Sequence, residues 1–407
     1  MVDSRPAGIP AGAPDFLLSR EHSAIRTRGR REVFRNPWDA VEALRSGAVD
    51  IVVGALPFLP TSDGTTAEIT SGVASEGAPA ALTVPEHIER SSSPLEPPAY
   101  YRASMGAPVH SRVLGMAPGR EEHLATVAAA IATMERTSLD KVVLARRVDV
   151  ECTPGLDPRL IAARLLHDEE LRNCFLADLS PAGGGTLVGS SPEVLIQKQG
   201  RRISVQPLAG SRPRRRATAG SCAARSAHNA RDFRAAEAEL LASSKDLAEH
   251  AFVVQHLQEA LAPLARNLRV EGPFVTGTTD MWHLATRIEG EVDDAECTAL
   301  ELALLLHPTP AVCGTPTEEA YALIDLAEGD SRGFYAGAVG WADRHGDGEF
   351  MVAIRCAEVS PDGRHLRAWA GGGIVASSDP QAEYAETTAK LRTIMRTLGF
   401  RPEEYSD

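Results

Sequence analysis

Lysine and glutamate supply the groups in this sequence that could do proton chemistry. Lys141 opens the run Lys141-Val142-Val143-Leu144-Ala145, whose branched residues predict a strand with Lys141, Val143 and Ala145 on one face. A lysine there either points to solvent or sits in a partly apolar site. In the second case desolvation lowers its pKa from the ordinary ~10.4 and makes the amine usable as a base. Glu193, in Ser190-Ser191-Pro192-Glu193-Val194-Leu195, is either surface decoration or, kept protonated by its surroundings, a proton donor to a departing hydroxyl. Glu249 follows Lys245 by four positions on a predicted helix, the spacing of an exposed ion pair worth only ~0.3–0.5 kcal/mol. Glu383, Glu386 and Lys390 are spaced i, i+3, i+7 and fall within about 60° of one another around a helix. They form a solvated face or, with Glu249, a set of carboxylates able to hold a hard cation such as Mg²⁺, which favours oxygen ligands. Gly371-Gly372-Gly373 is a tight turn or a place where backbone N–H groups approach an anion closely.

Positioning these groups falls to an alternation of short strands and long helices. Helices are predicted at 38–44, 121–135, 158–167, over most of 232–264, at 300–306 and at 317–326. A last helix opens at Asp379-Pro380, an N-cap followed by proline at the first helical position. Strands are predicted at 50–56, 141–150, 174–179, 186–188, 194–197, 202–206, 337–343, 349–358 and 365–370. Two of them join through Gly346-Asp347-Gly348, a hairpin signal. Proline and glycine in the first sixteen residues predict a flexible leader, and the Ser, Pro, Gly and Ala of 61–108 predict hairpins and loop. Residues 212–220 read as a basic loop, with the arginines from Arg212 to Arg216 solvated. Hairpins beside long helices favour an α+β fold with antiparallel sheet over a βαβ design.

Composition narrows the classes further. The 407 residues carry 42 basic and 55 acidic side chains, a net charge of −13 that disfavours nucleic acid and anionic membrane surfaces. With 43% hydrophobic and 24% charged residues the chain is expected to be globular. No apolar run approaches the ~18 residues of a membrane span, and the start lacks the marks of a secretory signal. The six cysteines form no CxxC pair, as expected of reduced residues in a cytoplasmic protein. Phosphate-loop, HExxH, GxSxG and GxGxxG signatures are all missing.

No single feature is specific, but seven segments stand in a telling order. They are Pro207-Leu208-Ala209-Gly210-Ser211-Arg212-Pro213-Arg214, Lys245-Asp246-x-x-Glu249-His250, His283-Leu284-Ala285-Thr286, and His307-Pro308-Thr309-Pro310-Ala311-Val312-Cys313-Gly314. Ile354-Arg355-Cys356, Ala370-Gly371-Gly372-Gly373-Ile374-Val375 and Glu383-x-x-Glu386-Thr387-x-x-Lys390 complete the set. From about Gly119 to Phe400 the chain resembles the chorismate-utilising enzymes, the family of isochorismate, anthranilate, aminodeoxychorismate and salicylate synthases. The resemblance is strongest to isochorismate synthases of the siderophore type.

The resemblance implies one α+β unit, with large antiparallel sheets packed together and helices outside. Residues 1–110 would be its N-terminal part and 111–407 the chorismate-binding catalytic region. It implies Mg²⁺ held by Glu249 and Glu386, with Glu383 acting through water. Lys141 matches the lysine that activates water for attack at C2 of chorismate, and Glu193 the acid that protonates the departing C4 hydroxyl. The product would be isochorismate, feeding siderophore and 2,3-dihydroxybenzoate, salicylate or menaquinone formation. Gly210, Ser211, Ala311, Arg355, Gly371 and Lys390 match substrate-contacting positions, and Tyr335 and Val312 are expected beside the ring. His283 and Thr286 match a family motif in which His283 is as readily structural as in contact. A monomer is expected.

Two departures stand out: Ser244 replaces a glutamate frequent in close relatives, and the first ~110 residues match no motif. A salicylate synthase, which goes on to expel pyruvate, shares the lysine, the acid and the metal ligands. The segment from His307 to Gly314 separates the two, because anthranilate, aminodeoxychorismate and salicylate relatives typically carry one beginning Phe-Pro there. An ammonia-using synthase is disfavoured by Lys141, which anthranilate synthases usually lack. A catalytically silent chorismate-binding scaffold is disfavoured by the intact Lys141, Glu193, Glu249 and Glu386.

Overall fold

The computed structural model describes residues 13–59, 77–101, 104–168, 172–215 and 222–406. Their strands form two ten-stranded sheets in which all the pairings are antiparallel. The first runs Gly314–Thr315, Lys141–Cys152, His365–Val375, Cys356–Val359, Thr186–Gly189, Cys174–Asp178, Phe16–Arg20, Ser23–Arg28, His87–Ser91, with Ser111–Ala117 also on Lys141–Cys152. The second runs Leu208–Pro213, Met281–Val292, Arg202–Gln206, Val194–Gln199, Gly348–Val352, Ala338–Asp343, Ile51–Leu56, Ala81–Val84, Glu32–Phe34, with Ala265–Gly277 on Met281–Val292.

The inner faces share one core. Leu144, Phe175 and Leu187 of the first sheet meet Leu195, Val205 and Phe350 of the second in a single buried cluster, the packing of two stacked sheets. On the outside of the first sheet, Pro158–Asp168 and Pro380–Leu398 bury Ile161, Leu165, Leu391 and Ile394 against Val148, Val150 and Leu176. Cys222–Ala242 covers the ribbon of the second sheet through Leu240, Trp282 and Leu284. The fold is α+β with antiparallel sheets, as hairpins beside long helices predict.

Local signals were obeyed where the chain carries its own partner. The Asp379 side chain accepts from Ala382 N–H at 2.8 Å and starts the last helix. Ser243 accepts from Asp246 N–H at 3.2 Å, which divides the expected helical stretch into Cys222–Ala242 and Ser244–Leu261. Residues 344–347 form the predicted hairpin turn, with Gly346 at φ +81°.

Other expectations fail. The stretch read as a solvated basic loop begins as the strand Leu208–Pro213, and two of its arginines are buried. Arg212 donates to Asp232 at 3.0 Å, and Arg214 lies over the Trp282 ring at 4.7 Å. An aspartate and an indole from distant elements compensate charge that a local reading assigns to water. Arg216 lies outside the described residues. The leader expectation falls mostly outside them too, but Phe16 already belongs to a buried strand. The stretch 61–108, expected to hold hairpins and loop, does carry strands Ala81–Val84 and His87–Ser91, but they pair in different sheets rather than with each other, and 60–76 lie outside the described residues. The described cysteines Cys152, Cys174, Cys297, Cys313 and Cys356 are free and buried. No helix among the described residues is long and apolar enough to cross a membrane.

Candidate active site

A cavity with about 660 Å³ of empty space, part of it open to solvent, lies where the glycine run of one sheet faces the strand Leu208–Pro213 of the other. Ten of the candidate residues line it: Glu193, Gly210, Ser211, Glu249, Ala311, Val312, Tyr335, Arg355, Gly371 and Lys390. They come from eight segments up to 197 positions apart, so the fold gathers them. Gly210 holds φ +77°, and a Cβ there would lie 2.9 Å from the Asp246 Cβ, so backbone conformation and space both call for glycine. Arg355 holds φ +50°, a conformation rare for arginine. Its side chain donates to Thr278 Oγ1 at 2.6 Å and to His283 Nε2. His283 therefore lines the cavity and also braces Arg355.

Lys141 stands behind the cavity wall, 0% exposed, with its Nζ 3.3 Å from Glu249 Oε1. The strand end is covered rather than solvated. Burial lowers the Lys141 pKa, against the pull of Glu249 and Glu193. Burial acts in the opposite sense on Glu193 and pushes it up to about 8, opposed by a Leu208 backbone hydrogen bond and by Lys141, Lys390 and Arg355. Burial thus shifts the amine behind the wall and the carboxyl in it toward their uncharged forms.

Glu383 and Glu386 do not line the cavity; they lie beyond it on the last helix. Lys245 reaches Glu383 Oε1 at 2.6 Å instead of forming the exposed pair with Glu249. Burial opposes the charge of Lys245, but Glu383, Glu386 and Glu249 together raise its pKa. Glu383 is pushed up by burial and by the charge of Glu386. Burial works against Glu386 as well, but Lys390, Lys245 and Ser211 hold its carboxyl below the usual range. Ser211 and Lys390 both reach Glu386 Oε1 at 2.7 Å, and Lys390 also donates to Gly371 O at 2.9 Å.

No group of three His, Cys, Asp or Glu side chains among the described residues is drawn together as a ligand cluster. The donor chemistry nevertheless suits a hard cation. Three carboxylates surround one ammonium, and the Glu383–Glu386 repulsion is of the kind that a dication relieves. At Gly373 a Cβ would lie 2.0 Å from Glu249 Oε1, so glycine makes room for that carboxylate.

Several wall residues escaped the sequence reading. Trp369 lies 5.7 Å from Tyr335, centroid to centroid, with 9° between the rings, and both line the cavity. Val143, Pro192, Leu208 and Ile354 supply further apolar wall. Trp369 flanks the glycine segment and the other four stand inside quoted segments without a role of their own, because apolar residues of this kind carry no chemical signal.

The sequence model of the family described as "Chorismate binding enzyme" matches residues 101–399. The chain belongs to that family. Among its most similar relatives is a MenF protein of Mycobacterium tuberculosis, 39% identical over 394 residues, which cover 95% of this chain and 96% of the relative. Isochorismate synthase DhbC of Bacillus subtilis is also 39% identical, over 94% of this chain and 93% of its own. The crystal structure of DhbC from Bacillus anthracis superposes with a TM-score of 0.79 at 33% identity, covering 95% of this chain and 96% of that one. The fold extends to MenF of Escherichia coli, at a TM-score of 0.76 and 22% identity over 98% and 91% of the two chains.

Proposed function

We propose that this protein is an isochorismate synthase, converting chorismate to isochorismate in a Mg²⁺-dependent reaction. The observation that carries the reading is a buried Glu193 in the cavity with a buried Lys141 behind its wall, burial shifting each toward its uncharged form. Relatives named isochorismate synthase over nearly the whole chain support it.

In this reading Lys141, as the neutral amine, takes a proton from the water that attacks C2 of chorismate. Glu193, protonated, gives its proton to the C4 hydroxyl, which leaves as water while the ring double bond shifts between the two positions. One water enters and one departs, so the product is an isomer. Arg355 offers a planar fork to a substrate carboxylate, and Lys390 and the backbone around Gly371 add positive potential. Glu249 and Glu386 would hold the Mg²⁺, with Glu383 behind a water. The metal, when bound, neutralises substrate charge and orients the ring carboxylate. Tyr335, Val312 and Ala311 form the ring-facing wall.

The free cysteines accord with a reducing, cytoplasmic setting. Sedimentation tests the monomer that the reading includes. The deciding experiment incubates the purified protein with chorismate and Mg²⁺ and separates the products by chromatography. Isochorismate without stoichiometric pyruvate, abolished by EDTA, is the expected result. Salicylate with equal pyruvate would move the protein to the lyase class, and unchanged chorismate would leave an ammonia-using synthase, tested by adding ammonia, or a binding role.

A further inference from the structure

The strand Lys141–Cys152 has an interrupted outer edge. Ser111–Ala117 pairs with it from Arg147 onward, and Gly314–Thr315 pairs only with Val142 and Lys141. Between these stretches the edge is closed partly by side chains. Val143 N–H donates to Cys313 O at 2.7 Å, but Ala145 N–H donates to the carboxylate of Glu328 at 2.8 Å. The Val143 carbonyl accepts from Arg332 Nη2 at 2.7 Å. The same guanidinium gives Nη1 to the Val312 carbonyl at 2.7 Å and Nε to Glu328 Oε2 at 2.8 Å. Arg332 is buried and does not line the cavity, whereas Val143 and Val312, whose carbonyls it holds, both do. Its guanidinium carbon also lies 5.9 Å from the centroid of the Tyr335 ring.

We propose that Arg332, with Glu328, is the positioning pair that sets the Ala311–Val312 wall at a fixed distance from the strand carrying Lys141. The geometry needs a rigid fork: one guanidinium bonds two carbonyls from separate segments and a carboxylate at once. A lysine ammonium is a point charge on a flexible stem and cannot serve all three directions. Arg332 acts through the wall and touches no reacting atom. A wall displaced by about an ångström would misplace the ring against Lys141, a shift that can cost on the order of 100-fold in rate. The inference rests on the reading that the cavity takes chorismate.

The test compares wild type, Arg332→Lys and Glu328→Gln as full-length proteins, with folding checked by near-UV circular dichroism. Calorimetric titrations measure chorismate and Mg²⁺ affinity, and steady-state assays measure kcat. Arg332→Lys is expected to bind chorismate ~10-fold more weakly and to lose ~30–100-fold in kcat. Its Mg²⁺ affinity should stay at the wild-type value, because the carboxylates stand on other elements. Glu328→Gln should shift both quantities the same way but less, since Arg332 keeps its two carbonyls. If Arg332→Lys does not fold, Glu328→Gln decides. Chorismate affinity and kcat both within twofold of wild type in the folded variants, whatever happens to Tm, would make the pair merely structural and overturn the proposal. Wild-type chorismate binding comes from the same titrations, so a failure of the functional reading shows there and a failure of the clamp shows only in the variants.

Discussion

Gly373→Ala is a one-methyl perturbation whose size can be worked from the structure. The new Cβ would lie 2.0 Å from Glu249 Oε1, 2.7 Å from its carboxyl carbon and 3.1 Å from Lys141 Cε. Ordinary contact begins near 3.4 Å, so the Glu249 carboxylate must retreat by 3.4 − 2.0 = 1.4 Å. No backbone atom is among these nearest contacts, and Gly373 is not in the left-handed region, so the chain can accept alanine by turning the glutamate aside. That movement breaks the 3.3 Å contact with Lys141 and withdraws one proposed metal ligand. A displacement above an ångström is expected to lower kcat by ~100-fold, about 2.7 kcal/mol in activation free energy. Mg²⁺ affinity should fall at least ~10-fold, the lower end for disturbing a ligand's support. The assay pairs steady-state kinetics with calorimetric Mg²⁺ titration, using Gly372→Ala as the milder control because its nearest contact, Glu383 Oε2, is 3.2 Å away. A Gly373→Ala protein with wild-type kcat and Mg²⁺ affinity would refute the proposed role of Glu249.

The acid–base assignment predicts a bell-shaped pH profile. Glu193, raised to about 8, supplies its proton below that pH, so kcat should fall as pH rises through about 8. The acid limb should follow protonation of Lys141, whose pKa burial lowers; an alkaline limb unchanged in Glu193→Gln would contradict the assignment. Lys141→Ala should abolish turnover but still bind chorismate in a calorimetric titration, and retention of more than a few per cent of kcat would exclude it as the base. Dialysis against EDTA should remove activity and added Mg²⁺ restore it; full activity in the chelated enzyme would dismiss the metal. Asp232→Ala removes the acceptor shared by Trp282 Nε1, Arg212 and the Arg215 amide and leaves a buried guanidinium short of its nearest partner. Urea unfolding should show a loss of about 3 kcal/mol, and a loss under 1 kcal/mol would return the 212–214 stretch to the status of a solvated loop.

The sequence by itself determined what neighbours along the chain decide. The Asp379-Pro380 start, the strand opening at Lys141 and the one-sided spacing of Glu383, Glu386 and Lys390 depend on contacts within a turn or on strand alternation. The ordered motifs also announced the family, since residue type and order survive without coordinates. Tertiary structure decided the rest. Strands Phe16–Arg20 and Ser23–Arg28 and the ribbon Ala265–Gly277 with Met281–Val292 went unread; much of Ala265–Gly277 is exposed and lacks a clean apolar alternation. The state of Lys141 was open in the sequence because a strand end is solvated or sealed by whatever packs on it, here Glu249 from a helix more than a hundred residues away. Ser211 and Glu386 meet across 175 positions, and Val143 and Arg332 across 189. Periodicity reports only a few residues in either direction. Desolvation, pairing of buried charge and the placement of a cavity wall belong to contacts that exist only once the two sheets close on each other.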